Sequence, residues 1–514
     1  MFWTSPTLAA GVAARWLTPT REFTLSPGVC TDTRAIDASK LFIALRGEKH
    51  DAHAFLSQVV AAKSQLIVID REDAFATIRE SAALANTSVL LVHDTAAALL
   101  SLAKAYREYL GTHGTTFVAV GGSNGKTSTV RMLQAVLSQS LRGSSSQKSF
   151  NNAIGVPLTI LAAREDDQFV ICEVGTNAPG ELEPLSRTVQ PDIVVLTSLG
   201  REHLEGLGSL EGVAQEEAQL VTGIKTSGTI VTPADAPADL LLTAIHATLA
   251  REGKHSRVMT FGTSANADTL ITSREQSFEG VDFGLADGTV FSLPVLGLHN
   301  ATNAAAAITV ARVLNLPDAA SRAGLKLVQP PAMRLQPHTI ATTTGSIRVI
   351  NDAYNANPDS MLAAIATVRE IAWAMSRQAS SVSANGSKPR LVLVLGDMLE
   401  LGVHGPQLHA ESIAAAMATK PDVLVLLGPI MCAAVPAARK MRASEDETNL
   451  VTHASTSLDA CQAIAAMLRA GDLVLLKGSR GTAVERVLTA LQAQHASGVS
   501  AGRGELKPFA PAKM

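Results

Sequence analysis

The residues Gly122-Ser123-Asn124-Gly125-Lys126-Thr127-Ser128 have the types and spacing needed to hold a phosphate. They stand between a strand-like run, Thr115 to Val120, and a helix-like run, Thr127 to Leu141. Glycines let a backbone curl round an anion, and successive N–H groups and a helix N-terminus would point at it. Lys126 would reach the terminal phosphates of ATP, and the Thr127 hydroxyl would hold a Mg²⁺. Val120 occupies the place of the first glycine of the full Walker pattern, which leaves the shorter form Gly-x-Asn-Gly-Lys-Thr. An ordinary Gly-rich turn would use similar residues. The coincidence of strand, loop, Lys-Thr and helix favours the phosphate loop.

Other polar residues cluster where strands should end. Glu173 closes the apolar run Phe169 to Cys172. A carboxylate there lies in the crevice where parallel sheets bind ligands, so Glu173 is either a metal ligand or a solvated strand-end acid. His203 comes after the next strand-like run, Ile193 to Thr197, and is either a ligand or a packed histidine. Asn300 and Asn303 open an Ala-rich helix, where asparagine serves as a cap or could read an adenine edge. The turn Asn351-Asp352-Ala353-Tyr354-Asn355-Ala356-Asn357-Pro358 is dense in amides and suits a small zwitterion, although turn chemistry alone explains part of it. Lys477 and Arg480, past another strand-like run, could hold carboxylate or phosphate oxygens.

The elements that must position these residues alternate along the chain. Short β-branched runs (Leu66–Asp70, Ser88–Asp94, Phe117–Gly121, Phe169–Gly175, Ile193–Ser198, Ile347–Asp352, Leu391–Gly396, Val423–Gly428 and Leu473–Gly478) are separated by Ala/Leu-rich helical stretches. Continuous apolar strands between helices predict an α/β chain of parallel sheets covered on both faces. We expect three domains: a small α/β block over 1–110, a nucleotide-binding block over 111–328, and a Rossmann-like block over 329–493. Gln329-Pro330-Pro331 is the expected linker, Ser376 to Pro389 a flexible surface insertion, and 494–514 a disordered tail.

Composition narrows the classes. The 514 residues carry a formal net charge of −3, with no long basic run, which gives no reason to propose a nucleic-acid partner. Cys30, Cys172, Cys432 and Cys461 lack CxxC or Cys/His spacing and read as thiols of a reducing compartment. Met1 to Trp16 lacks the basic flank of a signal peptide, and no apolar run reaches membrane-spanning length, so no membrane insertion is expected and the cytoplasm is.

Beyond these readings, the chain resembles the Mur ligases, which are ATP-dependent peptide ligases. The resemblance rests on the short phosphate loop, on Asn151-Asn152-Ala153-Ile154-Gly155-Val156-Pro157-Leu158-Thr159, on Tyr354 to Met361, on Gly396-Asp397-Met398-Leu399-Glu400-Leu401-Gly402, on Lys477-Gly478-Ser479-Arg480 and on Asp32-Thr33-Arg34. It implies domains for a UDP-sugar peptide, for ATP, and for closure over both. It further implies attachment of D-alanyl-D-alanine to UDP-N-acetylmuramoyl-tripeptide through an acyl phosphate. Separately, a monomer is expected. On that resemblance Gly122 to Ser128 bind ATP with Lys126 on its phosphates; Thr127 and Glu173 serve one Mg²⁺ and His203 a second. Asn303 would read adenine, and Arg334 and Asp352 would act on the nucleotide. Tyr354, Asn355 and Asn357 would meet the dipeptide, and Thr33, Arg34, Gly47, Asp51 and His53 would line the UDP-sugar pocket. The chain departs from the family at Ala52, Ala178 and Thr197, and at Glu217, where the family usually has a lysine that is carbamylated to hold metal. Glu217, helped by a bridging water, by Glu216 or by a backbone shift, is the expected substitute ligand; the alternative is a solvated helix residue, with His203 holding the second metal through waters.

Overall fold

The computed structural model describes residues 1–47, 50–147, 150–382, 389–441 and 449–496. All nine apolar runs singled out above are strands, each buried along most of its length because helices cover both faces of its sheet. Three sheets result, which makes the chain α/β throughout.

The chain divides into two compact units. The first contains Met1–Ser273, Phe283–Leu293 and Asn300–Val328. Its N-terminal sheet has the order Arg15–Trp16, Ser88–Leu91, Leu66–Ile69, Leu41–Ile43, Val29–Cys30, parallel except for the first pair. The central sheet has nine strands, and at its heart Ile193–Leu196, Thr116–Gly121 and Phe169–Glu173 lie side by side and parallel. One hydrophobic cluster runs from Trp3, Leu99 and Tyr106 to Phe117, Val170 and Val194, so both sheets share a core. Tyr106 donates its hydroxyl to the Ala163 carbonyl at 2.8 Å. Buried Arg107 donates to the Val189 carbonyl at 2.8 Å and pairs with Asp192 at 3.0 Å.

The second unit contains Arg274–Asp282, Pro294–His299 and the chain from Gln329. Its six-stranded sheet has the order Gln336–Thr342, Gly345–Asp352, Asp472–Lys477, Arg390–Gly396, Val423–Leu427, Leu450–His453. The first pair is an antiparallel hairpin and the other ladders are parallel. The structure corrects two expectations here. The helix Pro358–Val382 continues through the first half of the expected insertion, and the helix Arg486–Ala496 includes Gln494 to Ala496. The rest of the insertion, 383–388, and of the tail, 497–514, lies outside the described residues, as do Glu48, Lys49 and Ser149.

Candidate active site

The phosphate loop leaves the central strand at Gly121 and enters the helix Lys126–Leu137 at Gly125. Gly122 has φ +109°, and a Cβ there would lie 2.5 Å from Thr197 Oγ1 and 2.7 Å from its amide nitrogen, so only glycine fits. Gly125 has φ +87°, and its Cβ would meet Asn303 Oδ1 at 2.6 Å. The N–H groups are not all turned outward as expected. Gly122 N–H donates to Glu217 Oε2 at 2.7 Å, Ser123 N–H to the Ser198 carbonyl at 3.0 Å, and Asn124 N–H to Ser198 Oγ at 2.9 Å. Thr197 Oγ1 adds support, 2.6 Å from the Asn124 carbonyl. The anion-facing set therefore begins later, with the N–H groups of the first helical turn, which have no acceptors within their own helix.

Lys126 folds back over this loop. Its Nζ donates to the Gly122 carbonyl and, at 3.2 Å, to the Ser123 carbonyl, and lies 3.8 Å from Glu202 Oε1. Thr127 is buried, and its Oγ1 has no hydrogen-bond partner among the described residues. Glu173 pairs with Val120 across the parallel ladder, which sets its buried carboxylate beside the start of the loop. Its Oε1 accepts from Asn151 Nδ2 at 3.3 Å. Ser128 lies in the same helix as Thr127. His203 has φ +48° and opens the turn before Leu204–Leu207. Among the described residues, no three His, Cys, Asp or Glu side chains gather where they could hold a metal, so Glu173, His203 and Glu217 do not form one cage.

Glu217 is 1 % exposed, which removes the alternative of a solvated helix residue. Burial pushes its carboxyl pKa upward, against the pull of the Lys126 charge and the Gly122 N–H. Glu216 cannot make up its reach toward a metal. Its oxygens accept from the N–H groups of Gly180 at 2.8 Å and Leu182 at 2.9 Å, at the start of the helix Leu182–Val189. Asn303 is buried beside Gly125, with its Nδ2 on Asn300 Oδ1 at 2.9 Å. Thr197, Ser198 and Glu202 carry no motif that marks them as supports of the loop. The one signal for them is position: Leu196 pairs with Gly121, so the residues after Leu196 must flank the loop that begins after Gly121.

In the second unit, Asp352 and Lys477 are partners in a parallel ladder. Their charged groups meet at 2.9 Å, and Asp352 Oδ1 also accepts from Leu335 N–H at 3.0 Å. Lys477 is 2 % exposed and also donates to the Asn355 carbonyl at 2.7 Å. It is therefore a buried post under the polar turn, not a free cation for phosphate. Arg480 is exposed and pairs with Glu485 at 3.2 Å. The Arg334 guanidinium lies 4.3 Å over the Tyr354 ring. The Asn355 side chain is exposed, whereas Asn357 Oδ1 accepts from Ser360 N–H at 2.8 Å and caps the helix beginning at Pro358.

The N-terminal residues lie on two loops at the ends of neighbouring parallel strands, Val29–Cys30 and Leu41–Ile43. Half-buried Thr33 and exposed Arg34 form a short turn, and hydrogen bonds from Arg34 hold Asp32 down to about 2. Gly47 N–H donates to the His50 carbonyl at 2.8 Å, next to Asp51. The His53 ring is buried, with Nδ1 2.7 Å from Asp51 and Nε2 3.3 Å from Asp70.

A phosphate loop at a strand–helix junction, with a carboxylate at the adjacent strand end, defines an α/β nucleotide-binding protein of the phosphate-loop class. Residues 120–311 match the Mur ligase middle domain, and 333–480 the Mur ligase glutamate ligase domain. The chain is 35 % identical over 471 residues, 91 % of its length and 94 % of the relative's, to UDP-N-acetylmuramoyl-tripeptide–D-alanyl-D-alanine ligase of Bacillus subtilis. A crystal structure of MurF from Acinetobacter baumannii superposes with TM-score 0.78 at 27 % identity, covering 96 % of this chain and 99 % of that one. The MurF ligase of Thermotoga maritima in complex with ADP shares the fold, with TM-score 0.72 at 21 % identity over 92 % of this chain and 99 % of that one. The chain belongs to the Mur ligase family.

Proposed function

We propose that the chain is an ATP-dependent ligase that joins D-alanyl-D-alanine to UDP-N-acetylmuramoyl-tripeptide in peptidoglycan precursor synthesis. The observation that carries this reading is the near full-length likeness to the Bacillus subtilis ligase of that name, combined with an intact Gly-Lys-Thr loop. A carboxylate is a poor electrophile. Its oxygen attacks the γ-phosphorus of ATP, and the bond to the β-phosphate oxygen breaks to release ADP. The dipeptide's free amine then attacks the acyl carbon; the C–O bond to phosphate breaks, and the amine proton passes to solvent.

The protein's part is positioning and charge neutralisation. The first-turn N–H groups after Gly125 cradle the phosphates. Lys126 exchanges the loop carbonyls for phosphate oxygens, a motion its long stem allows. Magnesium fits the residues present: the Thr127 hydroxyl, partnerless among the described residues, and the Glu173 carboxylate are hard oxygen donors beside the loop. Bound there, it would neutralise phosphate charge. His203 is the remaining candidate for a second ion. Asn303 reads the adenine, and Arg334 with Asp352 serves the nucleotide. Tyr354 and Asn355 meet the dipeptide, while Asn357 acts mainly as the cap of that turn. Thr33, Arg34, Gly47 and Asp51 bind the UDP-sugar, with His53 holding Asp51 in place. We assign these roles to three domains over 1–110, 111–328 and 329–493. Among the described residues no helix is long and apolar enough to cross a membrane, and we place the enzyme in the cytoplasm as a monomer.

The deciding experiment is phosphate release by purified protein with ATP and Mg²⁺. Release that requires both the UDP-muramoyl tripeptide and D-alanyl-D-alanine supports the proposal, and release independent of either sinks it. A panel with diaminopimelate or lysine as third residue of the peptide identifies the acyl donor.

A further inference from the structure

We infer that Glu217 is a positioning residue for the phosphate loop, holding the Gly122 N–H so that the loop is formed before a nucleotide arrives. The inference rests on reading Gly122 to Ser128 as the phosphate loop. Glu217 ends the helix Leu210–Glu217, and its side chain reaches the loop at Gly122. Its Oε2 takes the Gly122 N–H at 2.7 Å and lies 3.1 Å from where a Cβ of Gly121 would be. Lys126 donates to the carbonyl of the same Gly122, so Glu217 and Lys126 hold that residue from its two sides. The other oxygen, Oε1, is buried with no hydrogen-bond partner among the described residues.

Hard oxygen donors for Mg²⁺ stand elsewhere, on Thr127 and Glu173. Glu217 supplies an acceptor for an N–H that would otherwise be buried and unpaired. A loop without that acceptor would have to be ordered by the ligand, and affinity would fall by the ordering cost.

The test is ADP binding by calorimetry in EDTA, where no metal takes part, with Glu217→Gln and Glu217→Ala. Glutamine keeps an acceptor oxygen and removes the charge; alanine removes both. The Gln variant is expected to bind within roughly threefold of wild type, and the Ala variant roughly tenfold or more weakly, the loss due to a buried N–H left unpaired. Amide hydrogen exchange of the ligand-free wild type gives a second readout. Gly122 N–H should be protected, which decides the matter with the Gln variant if the Ala variant does not fold. A Gln variant as weak as Ala, an unimpaired Ala variant, or a Gly122 N–H exchanging as fast as an exposed loop amide would overturn the inference. So would variants with unchanged ADP affinity in EDTA but a raised Mg²⁺ requirement, since that marks a metal ligand. Failure of the wild type itself to bind ADP both in EDTA and with Mg²⁺ present would overturn the phosphate-loop reading instead.

Discussion

Lys477 meets Asp352 at 2.9 Å, and the same ammonium carries the Asn355 carbonyl at 2.7 Å. One buried cation thus joins a strand-end acid to the polar turn beyond it. Removing it leaves Asp352 without its charge partner in a nearly dry place. Lys477→Met is expected to destabilise the protein by about 3 kcal/mol. Urea unfolding measures this, and a loss below about 1 kcal/mol would show the pair to be dispensable.

The two asparagines of that turn should behave differently. Asn357→Ala removes the acceptor for Ser360 N–H and is expected to cost about 1 kcal/mol, which Asn357→Asp restores. Asn355→Ala, at an exposed side chain, should leave stability within about 0.5 kcal/mol of wild type and raise the KM for the dipeptide. Thermal unfolding beside dipeptide kinetics separates the two; equal effects on stability would refute the distinction.

Lys126→Ala is expected to abolish turnover while the chain remains folded. The hydrogen bonds of Lys126 go to loop carbonyls that water can take over, whereas alanine cannot supply its charge to phosphate. Near wild-type phosphate release from a folded variant would remove the loop from the mechanism.

Stability should fall on acidification, in part through His409. Its ring is fully buried, with Nδ1 on the Gly405 carbonyl at 2.7 Å and Nε2 accepting from Met398 N–H at 2.9 Å, which fits only the neutral form. Burial lowers its pKa from the ordinary 6.5, and the hydrogen bond to the Gly405 carbonyl and the nearby Asp397 only partly oppose this. Below pH 6.5 the unfolded chain takes up this proton before the folded one does. The stability present above that pH is therefore lost progressively as the pH drops toward the folded-state value. His299 and His338 are shifted in the same direction by burial. The urea midpoint at about pH 5.5 should lie below that at about pH 7.5, and less so in His409→Gln; a midpoint that rises with acid would contradict this.

Strands such as Phe169–Glu173 and Asp472–Lys477 can be read in the sequence because burial on both faces makes them unbroken apolar runs. The strand Thr269–Gln276 cannot, because its exposed end, Ser273-Arg274-Glu275, resembles a loop. The phosphate loop is legible because its parts adjoin in the chain. Its supports are not: Ser198 and Glu217 reach it from 74 and 95 residues away. The commitment of Lys477 is hidden for the same reason, since only the ladder register sets it opposite Asp352. Asn357 reads as a substrate contact in the sequence because a cap and a binding amide look alike in one dimension.

The crowding around Gly122 has a consequence for how this sequence can change. The Thr197 hydroxyl fills the space a side chain at 122 would need, and Glu217 and Leu220 fill the space at 121. Substitutions at positions 121, 122, 197 and 217 should therefore be strongly epistatic. A larger residue at 217 or 197 will be tolerated only together with a shift of the loop, so single-site scans will report intolerance of larger residues at 121, 197 and 217 that paired libraries can relieve, whereas the positive φ of Gly122 keeps that position glycine in either kind of library.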